Sequence, residues 1–328
     1  MYRTIMVPTD GSGFDREAIL VALRVAERCN AKIRLVGVLS AASHFGMAVS
    51  PDGLIVTTET APVEHNTALG ELYALATECR SISTAEISAN LEVGPIPEVL
   101  AGYARRNDVD LIVISSHGRR GIARLSLGSI TDSLIRTTTI PVLVVKPKAS
   151  YLAPQATKEF HHVVVPLDGS SLAEQILKRL VPLAKVEEAE ITLLHVVTLS
   201  GESKGSDAAK APWWEKKVAA AQAYLAGRAR DIRLQGVPTR IDVVVGDKIA
   251  ESIMDYARTN RADLIAIATH GRGGLARVLH GSVADGVTKS AMSSILVFHP
   301  EMRVAKSLSG LLGAKDREEA PLCVDVAM

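Results

Sequence analysis

The amino-acid sequence predicts an α/β protein built from two tandem doubly wound domains, and two observations support this fold class. One segment occurs twice, as DLIVISSHGRRGIARLSLGS at residues 110–129 and as DLIAIATHGRGGLARVLHGS at residues 263–282, with twelve of the twenty positions identical. Apolar runs of strand length alternate with helix-like stretches in both copies, which is typical of a parallel sheet covered by helices on both faces. A repeat period of about 155 residues indicates a duplicated domain rather than an array of short repeats.

The first copy contains five predicted strands separated by helical patterns. The strands are predicted at Thr4–Pro8, Lys32–Val38, Ala85–Val93, Leu111–Ser115 and Val142–Lys146. The helices are predicted at Phe14–Cys29, Pro62–Cys79, Pro97–Asn107 and Ser129–Thr137. Right-handed crossovers between such strands produce a parallel sheet whose ligands bind beyond the carboxyl ends of the strands.

The second copy repeats this order of elements. Its strands are predicted at His162–Leu167, Glu190–Val197, Arg240–Val245, Leu264–Ala268 and Ile295–Phe298. Its helices are predicted at Leu172–Lys185, Pro212–Gln235, Lys248–Asn260 and Val283–Lys289. The same fold is therefore expected in both halves of the chain.

The segment between the copies has the composition of a linker. Pro147–Phe160 reads PKASYLAPQATKEF and is rich in proline and small residues. We predict a first domain over residues 1–147, a linker over 148–160, a second domain over 161–300 and a tail over 301–328 with no assigned structure. Irregular insertions follow the second strand of each copy, at Ser40–Ala61 and Leu199–Ala211. Either a lid over a ligand or a plain surface loop fits that position.

Composition narrows the class of protein. The 328 residues are 47% hydrophobic and 22% charged with a net charge of +1, which gives no electrostatic reason to expect binding to nucleic acid or to a membrane surface. The apolar runs are too short to cross a bilayer, and the first residues lead directly into a strand rather than a signal peptide. Three widely spaced cysteines are read as reduced thiols, so we expect a cytoplasmic protein.

An Asp-Gly-Ser sequence follows the first strand of each copy. The glycine permits a tight turn, and the nearby hydroxyl and acidic side chains suit a helix N-terminus, with Ser171 and Glu174 matching a capping box. Ser12 and Asp15 match that pattern less well. Neither the turn nor the cap requires a carboxylate at the strand end, so we predict that Asp10 and Asp168 contact a ligand, for instance a ribose hydroxyl.

A glycine-containing loop follows the fourth strand of each copy with the same spacing. The small residue, the loop glycine and the closing Gly-Ser pair are Ser115, Gly118, Gly128 and Ser129 in the first copy and Ala268, Gly271, Gly281 and Ser282 in the second. The Gly-Ser pairs open helices, and Asp132 and Asp285 in their first turns again fit a capping pattern. A helix N-terminus next to glycine offers backbone N–H groups and a favourable dipole to an anion, so the sequence predicts two phosphate sites.

These motifs resemble the universal stress protein family. The resemblance rests on Asp-Gly-Ser after strand one, the spacing Gly118–x9–Gly128-Ser129 after strand four, and a following PVLVV strand. It implies a five-stranded parallel sheet per domain in the order 3-2-1-4-5, of the adenine nucleotide alpha hydrolase-like type. It further implies that the domains pair through their last strands and that some members bind ATP.

The resemblance also implies a role for particular positions. Adenine would lie beside Val38 and Val196, and the ribose beside Asp10 and Asp168. The phosphates would contact Gly118, Gly128 and Ser129 in the first domain and Gly271, Gly281 and Ser282 in the second. Where the family motif begins with glycine this chain has Ser115 and Ala268, whose side chains would intrude if the backbone there required a positive φ.

The sequence contains no recognisable catalytic arrangement: it lacks the Walker phosphate loop, a nucleophile elbow and any Cys/His cluster. We therefore predict a stress-response protein that binds ATP or another adenine nucleotide, with or without Mg²⁺, in one or both domains. It would act as a sensor or regulator and be a slow ATPase at most. The alternative is a nucleotide-free module of the same fold whose function is dimerisation. An enzyme of related fold is a third option.

Overall fold

The computed structural model describes residues 1–11, 13–40, 46–49, 55–58, 61–116, 127–146, 159–198, 213–269 and 282–300. The second insertion at 199–211, most of the predicted linker and the tail at 301–328 lie outside the described residues. None of the described helices is long and apolar enough to cross a membrane.

The described elements follow the predicted strand–helix alternation. The strands are β1 (Thr4–Pro8), β2 (Lys32–Leu39), β3 (Gly46–Val49), β4 (Ile55–Thr58), β5 (Ile87–Val93), β6 (Leu111–Ser115), β7 (Val142–Val145), β8 (His162–Pro166), β9 (Glu190–Val197), β10 (Thr239–Val245), β11 (Leu264–Ala268) and β12 (Ser294–Phe298). The helices are α1 (Arg16–Cys29), α2 (Ala61–Ile82), α3 (Ile96–Arg106), α4 (Ser129–Thr137), α5 (Gln175–Val186), α6 (Trp213–Arg233), α7 (Ile249–Thr259) and α8 (Ser282–Ser290).

Ten of these strands form one continuous sheet, in the order β10-β9-β8-β11-β12-β7-β6-β1-β2-β5. Each half is parallel and has the strand order 3-2-1-4-5 when its strands are numbered within the domain, which confirms the predicted fold. The halves meet where β12 pairs with β7 in an antiparallel sense, with Leu296 opposite Leu143. The two domains therefore share a sheet through their last strands.

Two layers of helices bury the faces of this sheet. Helices α1, α2, α5 and α6 cover one face with a core that contains Val21, Leu72, Leu180 and Leu225. Helices α3, α4, α7 and α8 cover the other face with a second core. Since the strands are buried on both sides, their sequences are continuously apolar rather than alternating.

The first insertion differs from the prediction. Within Ser40–Ala61, which was expected to be irregular, β3 and β4 form an antiparallel two-stranded sheet with Gly46 opposite Thr58. These strands are hard to predict because each is only four residues long, and a short segment offers too few positions to show a period of two.

The two copies have matching backbone conformations after corresponding helices. Asn30 and Glu188, which follow α1 and α5, have φ values of 53° and 48°. Asp108 and Arg261, which follow α3 and α7, have φ values of 49° and 51°. A left-handed residue commonly ends a helix by satisfying its last carbonyl groups, so both copies stop corresponding helices by the same device.

Candidate functional site

The predicted site residues of each domain lie at the carboxyl end of its parallel strands. In the first domain Asp10 follows β1, Ser115 ends β6 and Ser129 opens α4. The matching positions of the second domain are Asp168 after β8, Ala268 at the end of β11 and Ser282 at the start of α8. In each domain, the structure thus brings three positions to one edge of the sheet: the residue after the first strand, the last residue of the fourth strand and the first residue of the next helix. Gly118, Gly271 and Gly281 lie outside the described residues.

The turn after β1 depends on its glycine. Gly11 has a φ of +71°, and its counterpart Gly169 has a φ of +82°. A side chain disfavours this conformation, so glycine is suited to the turn by which the chain leaves the strand. The Gly11 N–H donates to the Thr9 hydroxyl over 3.1 Å.

A buried carboxylate lies directly behind the first candidate site. Asp15 is 5% exposed, and its two oxygens accept hydrogen bonds from the Asp10 backbone N–H over 2.9 Å and from the Ser115 hydroxyl over 3.2 Å. Burial raises the pKa of this carboxyl from its ordinary value of 3.8 to about 6, and the neighbouring Asp10 carboxylate contributes in the same direction.

From the sequence, Asp15 is predicted only as a weak capping residue. Its side chain makes no cap hydrogen bond to α1, because both oxygens are directed at the site residues Asp10 and Ser115. One signal was present in the sequence: the second copy has Ala173 in place of Asp15 and Ala268 in place of Ser115, so the acid and the hydroxyl are replaced together.

The corresponding turn of the second domain is held differently. The Ser170 N–H donates to Asp168 Oδ1 over 2.9 Å, and the Ala173 N–H donates to the Ser170 hydroxyl over 3.1 Å. The expectation that the turn does not use this carboxylate is therefore wrong for Asp168. Ser170, rather than Ser171, caps the turn before α5.

The predicted capping box of Ser171 and Glu174 is also wrong. The Glu174 carboxylate accepts the Tyr224 hydroxyl over 2.9 Å and faces Arg228 at 3.4 Å. These partners lie on α6, so Glu174 joins two helices instead of closing one. Burial and the Glu174 carboxylate together raise the pKa of the Tyr224 phenol.

The two departures from the family's glycine do not strain the backbone. Among the described residues, a positive φ at a non-glycine position occurs at Asn30, Asp108, Glu188 and Arg261, and Ser115 and Ala268 are not in this group. Both residues end a strand in ordinary extended geometry. A side chain at these positions therefore costs no conformational energy, and the Ser115 hydroxyl is one chemical difference between the two sites.

The start of α4 is tied to the end of β6. The Gly128 N–H donates to the Ser116 carbonyl over 3.0 Å, and the Thr131 hydroxyl donates to the Ser115 carbonyl over 3.2 Å. Ser129 is exposed beside an open groove of about 510 Å³ that lies between the end of β2, the turn before α3 and the start of α4. Ser40, Gly94, Ile96 and Ser129 are among its lining residues.

The acids in the first turns of α4 and α8 do not cap these helices. Asp132 pairs with Arg136 over 2.9 Å, and Asp285 pairs with Lys289 over 2.9 Å, each one turn further along its own helix. Arg136 also lies 3.8 Å from Asp285 of the other domain. Each acid is therefore paired with a cation four residues later on its own helix.

Val38 and Val196, the residues expected beside adenine, occupy matching places near the ends of β2 and β9. Both are half-buried and pack against the core beneath α3, α4, α7 and α8. Each valine is thus an apolar side chain on the sheet face that α3, α4, α7 and α8 cover, close to the carboxyl edge where the polar site residues lie.

The fold and these paired sites define a class of protein: a tandem α/β protein with a candidate ligand-binding edge in each half. The model of the Universal stress protein family matches residues 1–146 and 159–299. The chain belongs to that family.

Some relatives and solved structures cover most of the tandem arrangement, and others match less than half of the chain. A universal stress protein of Mycobacterium tuberculosis is 25% identical over 310 residues, which cover 89% of this chain and 94% of the relative. One from Methanocaldococcus jannaschii is 30% identical over 146 residues, 44% of this chain and 83% of the relative. The crystal structure of a universal stress protein from Archaeoglobus fulgidus covers 90% of this chain and 96% of its own, with a TM-score of 0.63 and 16% identity.

Proposed function

We propose that this chain is a cytoplasmic stress-response protein that binds ATP or a related adenine nucleotide at the carboxyl edge of its sheet and acts as a sensor or regulator. The observation that carries the proposal is the repetition of the same edge in both halves, with Asp10 and Asp168 after the first strand and Ser129 and Ser282 opening the helix after the fourth. An apolar valine and an exposed serine hydroxyl lie on that edge in each domain, which suits a ligand with an aromatic base and an anionic tail.

Other universal stress proteins were solved in complex with cAMP and with dAMP. Their TM-scores to this chain are 0.32 and 0.33, which is too low to locate a ligand here. Support for the proposal comes instead from the two sites themselves and from membership of the family.

The direct test is mass spectrometry of the nucleotide released when freshly purified protein is denatured, followed by equilibrium dialysis with ATP in the presence and absence of Mg²⁺. We expect adenine nucleotide to be retained, and its ratio to protein gives the number of occupied domains. A blank in both measurements would contradict the proposal and favour the nucleotide-free dimerising module.

A matched pair of variants on one helix locates the site. Ser282→Ala removes the hydroxyl at the first position of α8, whereas Ser290→Ala removes one at its last position. We expect the first change to weaken ATP binding by the second domain roughly tenfold, the effect of about one lost hydrogen bond to a charged group, and the second change to leave it unaltered. Equal effects would place the nucleotide elsewhere.

A further inference from the structure

The two candidate sites differ in one buried pair of residues. In the first domain Asp15 accepts the Ser115 hydroxyl over 3.2 Å. In the second domain the same two places hold Ala173 and Ala268, each 8% exposed. The strand ends also differ at Thr9 against Leu167 and at Gly37 against His195, so variants of Asp15 alone are needed to isolate its effect.

Asp15 is placed where it affects an anion bound at the first site. Its carboxylate touches the backbone of Asp10 and the side chain of Ser115, which are the two predicted site residues at the ends of β1 and β6. Being 5% exposed, it is poorly screened by water, so its charge acts on the neighbouring edge more strongly than a surface charge would.

Among the groups that face Asp15, the Asp10 backbone N–H and the Thr9 hydroxyl favour its ionised form, whereas the Asp10 carboxylate disfavours it. The Asp10 carboxylate, from the same turn, faces Asp15 and adds a second negative group, while Thr9 and Ser115 contribute only hydroxyls. From α2, the Glu71 carboxylate comes within 3.6 Å of where a side chain on Gly11 would begin. The carboxylates of Asp10, Asp15 and Glu71 therefore all lie around the turn after β1.

We propose, given the nucleotide binding proposed above, that Asp15 sets the order in which the two domains fill: the second domain binds adenine nucleotide at neutral pH, and the first binds it comparably only when Asp15 carries a proton. The ionised carboxylate repels the phosphates of the ligand, and a proton taken up from water removes that repulsion. The second domain lacks this group and keeps its affinity.

The pH window follows from the chemistry of the buried acid. Burial raises the pKa of Asp15 to about 6, so the group is largely ionised at neutral pH and largely protonated below about pH 5. The phosphates of ATP also gain a proton in this range. The second domain of the same molecule experiences that change without Asp15, but it also contains His195 at its strand end, so Asp15→Asn is the control.

The test exchanges the pair between domains. ATP binding is measured by calorimetry at about pH 8 and about pH 5, either side of the Asp15 pKa. The variants are Asp15→Ala/Ser115→Ala, which gives the first site the residues of the second, and Ala173→Asp/Ala268→Ser, which does the reverse. Asp15→Asn removes the charge while keeping the shape. Circular dichroism and thermal melting verify that each variant is folded.

At the higher pH the full-length protein should show one site that binds ATP roughly tenfold more tightly than the other, the effect expected of one nearby unscreened charge. Asp15→Ala/Ser115→Ala and Asp15→Asn should each give two sites of similar affinity. At the lower pH the difference should shrink in the unaltered protein. The reverse exchange should weaken the tight site by a similar factor.

Two results would overturn the role of Asp15 while leaving nucleotide binding intact. One is that the two sites of the unaltered protein have equal ATP affinity at the higher pH, and the other is that their affinities differ and still differ in Asp15→Asn. Absence of ATP binding in every variant at both pH values would instead contradict the proposed function itself. If the reverse exchange does not fold, the Asp15→Asn comparison still decides the question.

Discussion

At the scale of single residues, the chain shows how one buried acid changes a duplicated site. Asp15 accepts hydrogen bonds from the Asp10 N–H and the Ser115 hydroxyl, and the second domain has alanines in place of Asp15 and Ser115. Removing an acid and its donor together avoids leaving either one buried without a partner, which would cost about 1–3 kcal/mol.

Stability should depend on pH through this residue. Burial raises the pKa of Asp15 above its ordinary 3.8 to about 6. The fold therefore favours the protonated form, and the stability associated with it is complete below about pH 4 and lost as the pH rises through about 6. A pKa raised by this amount corresponds to about 3 kcal/mol of unfolding free energy.

The free energy of unfolding of the unaltered protein should fall by up to about 3 kcal/mol between about pH 4 and about pH 6. This fall should be absent from Asp15→Asn. Urea unfolding across that range measures it as the difference between the two proteins. Asp255→Asn, at an exposed carboxylate on α7, is the control and should leave the pH profile unchanged. Parallel profiles for the unaltered protein and Asp15→Asn would show that Asp15 titrates normally.

At the scale of elements, two glycines in and just after helix α6 allow the effect of backbone conformation on stability to be tested. Gly227 lies inside the helix, and Gly236 lies just beyond its end with a φ of +85°. Neither position has another atom within 4 Å of where a β-carbon would be. The two glycines thus differ in conformation and not in available space.

Gly227→Ala should raise the free energy of unfolding by about 1 kcal/mol, because alanine restricts the unfolded chain and favours the helix. Gly236→Ala should lower it by about 1 kcal/mol, because a side chain disfavours a positive φ. Thermal melting of the two variants side by side measures both shifts. Shifts of the same sign would mean that packing, rather than backbone conformation, controls this end of α6.

At the scale of the whole molecule, the two domains are joined by more than the β7–β12 pair. Arg24 of α1 contacts Glu159, shortly before β8, over 2.8 Å, and the Glu159 side chain is 2% exposed. The Glu187 carboxylate accepts the Glu159 N–H over 2.7 Å and lies 3.7 Å from Arg28. The Tyr2 hydroxyl donates to the Arg179 carbonyl over 2.8 Å. Most polar groups named at this junction have hydrogen-bond partners, whereas Glu187 Oε1 is buried with only the Arg28 guanidinium nearby.

Two arginines on α1 allow the contribution of this junction to be measured. Arg24→Ala leaves the buried Glu159 carboxylate without its cation and should cost about 3 kcal/mol. Arg16→Ala breaks an exposed pair with Glu78, whose side chains are 72% and 52% exposed, and should cost less than about 1 kcal/mol. Calorimetric unfolding compares them. Equal costs would indicate that the junction pair is effectively solvated.

The sequence by itself determined the features that depend on local pattern and repetition. Continuous apolar strands such as Leu111–Ser115 predicted a parallel sheet buried on both faces, and the repeat predicted two copies of it. The Asp-Gly turns were predictable because only glycine readily adopts the φ found at Gly11 and Gly169. The family resemblance supplied the strand order, which local pattern alone does not specify.

Only the tertiary structure decided which polar groups meet. Asp15 and Ser115 are 100 residues apart in the chain and become partners because β1 and β6 are neighbours in the sheet. Glu174 resembles a capping residue in the sequence, yet it bonds Tyr224 because α6 packs beside α5. Local sequence limits which bonds a side chain is able to make, whereas the packing of distant elements selects among them.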